Sequence, residues 1–120
     1  FSGEVVDPSN RPDYIFNPSN DGWFGAWGPP QHLAQARLRA IEEGLPVLRS
    51  TTTGISAVID ADGLVRAFVP RHRAGRLDGL IPLAHEPTPF ARMGNLLPLA
   101  LAAMLLFASL CVVALSRRRV

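Results

Sequence analysis

Leu96-Leu97-Pro98-Leu99-Ala100-Leu101-Ala102-Ala103-Met104-Leu105-Leu106-Phe107-Ala108-Ser109-Leu110-Cys111-Val112-Val113-Ala114-Leu115 is the stretch whose reading decides the architecture. At ~1.5 Å of rise per residue it forms a helix about 30 Å long, which matches the hydrocarbon thickness of a bilayer. No charged side chain occurs between Gly94 and Ser116. The run lacks the polar face of a helix that lies flat in the interface, so it predicts a spanning helix. Pro98 falls in the first turn, where its missing amide proton is harmless. A buried core helix is the alternative, but such helices rarely run this far without a charge.

The flanks give the expected direction. Arg117, Arg118 and Arg119 follow the run at once, whereas only Arg92 lies close on the other side. Cytoplasmic flanks collect arginine, so the carboxyl end is expected in the cytoplasm and residues 1–93 on the periplasmic or extracellular side. The same three arginines account for the formal net charge of +2, because without them nine basic residues face ten acidic ones. Without a basic patch interleaved with aromatics, no nucleic-acid partner is expected.

Every basic side chain is arginine, so chemistry that needs a lysine cannot be completed within these 120 residues. The single cysteine, Cys111, sits in the apolar run. Hydrocarbon disfavours a thiolate, so Cys111 is not expected to act as a nucleophile.

Working back from the helix, residues 85–95 carry two prolines and read as a juxtamembrane linker. Before it the pattern alternates between β-prone runs and turns. Tyr14-Ile15-Phe16 is a short strand that empties into Asn17-Pro18-Ser19-Asn20-Asp21-Gly22, a turn by composition. A glycine-jointed aromatic loop follows, Trp23-Phe24-Gly25-Ala26-Trp27-Gly28. Pro29 and Pro30 then open a helix with Leu33, Ala36, Ala40 and Ile41 on one face, stopped by Gly44 and Pro46. Arg39, Glu42 and Glu43 are expected on its wet face. Residues 46–51 and 55–59 read as strands around the Thr52-Thr53-Gly54 turn. Asp60-Ala61-Asp62-Gly63 closes a hairpin onto residues 64–69, and a last short strand is expected over residues 77–83. This order describes part of an α/β sandwich.

The residues hold no complete catalytic set. His32, His72 and His85 lack the spacing of a metal site, and neither a nucleophile elbow nor a glycine-rich phosphate loop appears. Neither a metal nor a cofactor is expected. Asp60 and Asp62 are explained by hairpin chemistry, and Glu42 and Glu43 by a solvated helix end. Residues 17–25 stand out, because a strand emptying into a polar turn and a Trp-Phe-Gly loop is where α/β proteins build pockets. A structural corner anchored by tryptophan is the other reading of that segment.

At this level the words of the sequence become recognisable. Ser19-Asn20-Asp21-Gly22-Trp23-Phe24-Gly25, with Gly28-Pro29, Gln31-His32, Ala36-Arg37, Arg39-Ala40 and Glu43, resembles the apolipoprotein N-acyltransferases, a branch of the carbon–nitrogen hydrolase (nitrilase) superfamily. Pro46-Val47-Leu48-Arg49-Ser50-Thr51, Gly54-Ile55 and Ala57-Val58 are similar to that family's next strands. Thr88-Pro89-Phe90-Ala91-Arg92 with Gly94-Asn95 is similar to its entry into the final membrane helix. Gly22 stands where alanine is common.

The resemblance implies the C-terminal part of a periplasmic nitrilase-type α/β sandwich over residues 1–84, followed by a linker at 85–95, a transmembrane helix at 96–115 and a cytoplasmic tail at 116–120. It implies a bacterial inner-membrane enzyme with two lipid partners. A phospholipid gives up an acyl chain, and the N-terminal diacylglyceryl-cysteine of an apolipoprotein receives it through a cysteine thioester. The family's nucleophile lies in a Cys-Tyr-Glu motif just before the segment that resembles Gly3-Glu4-Val5-Val6-Asp7, and its base glutamate and oxyanion lysine lie further upstream. On this reading the chain is a fragment with no catalytic residue of its own and is inactive alone. Asn20, Asp21, Trp23 and Phe24 are expected to line or brace the active-site cleft as substrate-binding residues. Two alternatives remain: a membrane-tethered nitrilase-type amidohydrolase, and a single-span binding or scaffold module complete as it stands.

Overall fold

A computed structural model describes residues 5–117. The expectations for Gly3, Glu4 and the last residues of the arginine tail, Arg118 and Arg119, lie outside the described residues.

Four strands form one mixed sheet in the order β1 (Ile15–Ser19), β2 (Val47–Thr51), β3 (Ser56–Ile59), β4 (Val65–Val69). β1 and β2 are parallel, so a crossover must join them, and α1 (Gly28–Glu43) is that crossover. β2, β3 and β4 pair antiparallel through tight turns. A bulge after Val58 leaves Arg66 unmatched in the ladder, and Arg66 Nε donates to Asp60 Oδ2 at 2.5 Å. Pro18 is tolerated within β1 because β1 is an edge of this sheet.

The strand period of two sends Ile15, Val47, Ala57 and Ile59 to the face covered by α1. There they meet Ala36 and Ala40, with Leu33 and Val65 at the margin. Ile41, expected on the same helical face, is instead half exposed, and its end abuts Gly63. The helix meets the sheet through alanines, which lets it sit close but buries little apolar area.

The other sheet face carries Phe16, Leu48, Val58, Ala67 and Val69. Residues 75–82 pass over it and leave a groove of about 610 Å³. No strand forms over residues 77–83, contrary to expectation. Gly79 and Pro82 interrupt the run, which crosses the face of the sheet instead of joining its edge.

The β3–β4 hairpin works as its composition predicts. Asp60 Oδ1 accepts from the amides of Asp62 (3.0 Å) and Leu64 (2.8 Å), and Gly63 takes the left-handed conformation at φ 77°. Arg37 of α1 donates to the Gly63 carbonyl at 2.7 Å, which ties helix to hairpin.

The expectation of a solvated end to α1 is overturned. Glu43 is only 2% exposed, and its Oε1 has no hydrogen-bond partner. Glu42 is half-buried and pairs with Arg39 at 2.9 Å. The cause is the segment read as a linker, which folds back onto this helix end. Gly44 closes α1 at φ 66°, and a Cβ there would press on Thr88 and on the Glu86 carbonyl. The chain then forms a short helix, α2 (Pro89–Met93), turns at Gly94, and enters α3 (Leu96–Arg117). Residues 96–116 of α3 form the one described helix long and apolar enough to cross a membrane, and none of that span is buried against the rest of the chain.

Burial raises the Glu43 carboxyl above the ordinary glutamate range, with Arg39 and Arg11 opposing and Glu42 adding to the rise. The folded state then binds this proton more tightly than the unfolded state. Stability should be greatest below the ordinary glutamate value of 4.5 and decline as pH climbs through the raised folded value. Glu43→Gln, neutral at every pH, should lose that decline. Urea midpoints measured across this range check it, and equal pH slopes for the two proteins would contradict it.

Candidate functional site

At the carboxyl end of β1 the chain leaves the sheet through a 3₁₀ turn, residues Asp21–Trp23. Asn20 caps that turn, its Oδ1 accepting from the Gly22 amide at 3.1 Å. Asp21 turns inward and is 1% exposed. Arg49, two residues into β2 on the helix-covered face, is likewise buried, and its Nη2 donates to both Asp21 oxygens at 2.9 and 2.8 Å.

The pair is embedded in further polar contacts. Ser19 Oγ donates to Asp21 Oδ1 at 2.7 Å, and His32 Nδ1 from α1 reaches the same oxygen at 2.9 Å. Arg49 Nη1 donates to Asn17 Oδ1 at 2.6 Å, and its Nε to the Ile55 carbonyl at 3.2 Å. Two desolvated charges are costly unless their remaining bonding capacity is met, and here four residues meet it. Burial alone would raise the Asp21 carboxyl. Hydrogen bonds from Ser19, His32 and Arg49, together with the Arg49 charge, outweigh burial and hold it below the ordinary carboxylate range.

This network ties β1, β2 and α1 together beneath the aromatic loop. Phe24 stacks its ring edge-on with His32, with centroids 4.5 Å apart. Trp23 and Trp27 stand 84% and 83% exposed. Beside the network a groove of about 660 Å³ runs between the free edge of β1 and the flank of α1. Asn17, Ser19, His32 and Arg49 line it, with Gln35 and Leu38 further along.

The four expected site residues therefore separate into different roles. Asp21 is a buried brace, Asn20 an exposed turn cap, and Trp23 and Phe24 an exposed apolar tip. None of the four lines the groove. Asn17 and Ser19, which do, fall within the segment singled out from sequence, whereas Arg49 and His32, which also do, were not expected as site residues. One signal was available for Arg49: it occupies an inward position between Val47 and Thr51 in a strand, and a buried guanidinium demands a carboxylate.

The chemistry of these groups is positional. Ser19 and His32 both donate to the Asp21 carboxylate, an arrangement that fixes a loop but does not pair a nucleophile with a base. No group of three metal-ligating side chains occurs among the described residues.

Comparison with known proteins fits this geometry. Residues 9–85 match the carbon–nitrogen hydrolase family. The apolipoprotein N-acyltransferase of Bradyrhizobium diazoefficiens is 50% identical over 105 residues, covering 87% of this chain and 20% of that protein. That of Rhodopseudomonas palustris is 46% identical over 107 residues, covering 88% and 20%, and that of Haemophilus influenzae 44% over 95 residues, covering 78% and 18%. The chain spans about a fifth of the length of these curated relatives.

Removing one partner of the ion pair leaves the other buried and unmatched. Asp21→Ala should cost about 3–5 kcal/mol. Gly54→Ala should act through the same contact, because its Cβ would fall 2.0 Å from Asp21 Oδ2. Thermal denaturation checks both. If Asp21→Ala left the midpoint unchanged, the bracing role would be wrong.

Proposed function

The chain belongs to the carbon–nitrogen hydrolase family, and from that premise we propose that it is the carboxyl-terminal part of an apolipoprotein N-acyltransferase. The observation that carries this reading is the extent of the similarity. A match covering 87% of the chain runs past the family's boundary at residue 85 and into α3. A soluble amidase of the same family has no use for that helix. An enzyme whose two substrates are lipids needs its catalytic domain held at the bilayer surface.

On this reading residues 96–115 span the inner membrane, the sheet lies on the periplasmic side as residues 1–84, and the arginines at the end face the cytoplasm. An acyl chain passes from a phospholipid to a cysteine thiolate supplied by the rest of the enzyme, with expulsion of the lysophospholipid. The α-amine of the diacylglyceryl-cysteine then attacks the thioester, forms the amide and regenerates the thiolate. The cysteine, its base glutamate and the lysine of the oxyanion site all lie upstream of this segment.

Its own residues would then position and shield. The Asp21–Arg49 network fixes the loop that presents Trp23 and Phe24, two apolar surfaces suited to acyl chains. A thioester survives only where water is scarcer than the incoming amine, and large rings at the cleft mouth serve that exclusion.

In the full-length enzyme, Trp23→Ala and Phe24→Ala should each lower acylation of a diacylated lipopeptide by about tenfold or more. Because both side chains are largely exposed here, the melting temperature should barely move. The isolated 120-residue chain should transfer no acyl group at all. Ammonia release from a small amide, without lipopeptide acylation, would instead identify a tethered amidohydrolase.

A further inference from the structure

The last carbonyls of an α-helix have no partner within the helix, and a buried helix end must find them elsewhere. At the end of α1 the partners come from the segment leading to α3 and from Arg11. Thr88 Oγ1 donates to the Glu42 carbonyl, and the His85 amide donates to the Gly44 carbonyl at 2.8 Å. Arg11 Nη2 donates to the Glu43 carbonyl at 2.5 Å and reaches the His85 carbonyl at 3.3 Å. His85 Nε2 also lies 3.0 Å from Asp62 Oδ1, reaching the hairpin.

Thr88 does more than cap α1. Its Oγ1 also accepts from the Ala91 amide at 3.0 Å, which starts α2. One hydroxyl thus joins the carboxyl end of α1 to the amino end of α2, and three residues after α2 ends the chain is in α3. The other end of α1 carries His32, bonded to Asp21 beneath the Trp23–Phe24 loop. Across its 16 residues, about 24 Å, α1 is a rod with the loop at one end and the membrane helix clasped to the other.

We propose that the Thr88 hydroxyl is a positioning device for acyl transfer, one that sets the height and tilt of the Asn20–Phe24 loop above the bilayer. It touches no substrate and acts through α1. The proposal rests on the acyl-transfer reading for its catalytic consequence, but the clasp itself can be tested without activity.

The test uses the full-length enzyme in phosphatidylethanolamine–phosphatidylglycerol vesicles, comparing wild type with Thr88→Val and Thr88→Ser. Valine keeps the methyl that abuts Gly44 and removes only the hydroxyl. Two acyl donors are supplied, the bilayer phospholipid and a water-soluble short-chain ester. Thr88→Val should lower kcat with the bilayer donor by about tenfold, in line with the cost of a small misplacement. The rate with the soluble ester should stay within about twofold, and Thr88→Ser should match wild type with both donors. In parallel, a fluorescent amino acid replacing the exposed Trp27 reports its quenching by a lipid carrying a surface quencher. Thr88→Val should shift this quenching and Thr88→Ser should not.

Equal loss with both donors would show a merely structural role and overturn the proposal. No loss with either, or unaltered quenching in Thr88→Val, would overturn it as well. A wild type that acylates from neither donor would sink the functional reading of the previous subsection, and the quenching alone would then decide the clasp.

Discussion

A guanidinium sits inside a sheet that has few apolar contacts to spare, and the arrangement around it depends on how its charge is met. Arg49 enters the helix-covered face between Val47 and Thr51, where a charge is tolerable only with a desolvated carboxylate at hand. Asp21 supplies it from the turn that ends β1. That requirement fixes the exit of β1, forces glycine at position 54 to make room for the carboxylate, and draws His32 in from α1. An apolar substitute of the same volume could fill the space. It could not specify where a polar loop should stop, which is what a network with directed bonds adds.

Much of the fold was legible because local chemistry and global pattern agreed. Pro29 and Pro30 with Gly44 bound α1, and Ala36 and Ala40 of its expected apolar face lie in the core. The Asp60 hairpin and the apolar helix followed from residue types alone. The failures have a shared cause. Residues 77–83 carry the apolar pattern of a strand, but whether such a run pairs depends on which sheet edge it can reach, and no local signal encodes that. Glu43 looked wet because its helix face is charged, yet tertiary contact from a segment 42 residues later buried it. The candidate site was legible as a loop but not as a network, since Arg49 and Asp21 are brought together only by the crossover.

The segment between the hairpin and the membrane helix shows how capping can serve mechanics. In water, the end of α1 would find partners in solvent at little cost, and a loose linker would suffice to hold a domain near a bilayer. A loose linker of ten residues would allow wide excursions, because a flexible chain spans about 5–6 Å × √n. Here the carbonyls of Glu42, Glu43 and Gly44 are satisfied by Thr88, Arg11 and His85. Opening the clasp therefore strands buried acceptors, and that cost is what converts a tether into a joint.

The joint matters more than its few bonds suggest, because α1 grips its sheet mainly through Ala36 and Ala40, with Leu33 at the margin, and gains from fastening at both ends. At one end the fastening is Asp21, and at the other it is Thr88. In the proposed coupling, a displacement at either end would travel along α1 to the loop bearing Trp23 and Phe24. On the proposed acyl-transfer reading, lipid substrates reach the reacting centre only if it sits at a set distance from the membrane. The clasp would hold that distance with backbone carbonyls and one hydroxyl, using no residue that has to react.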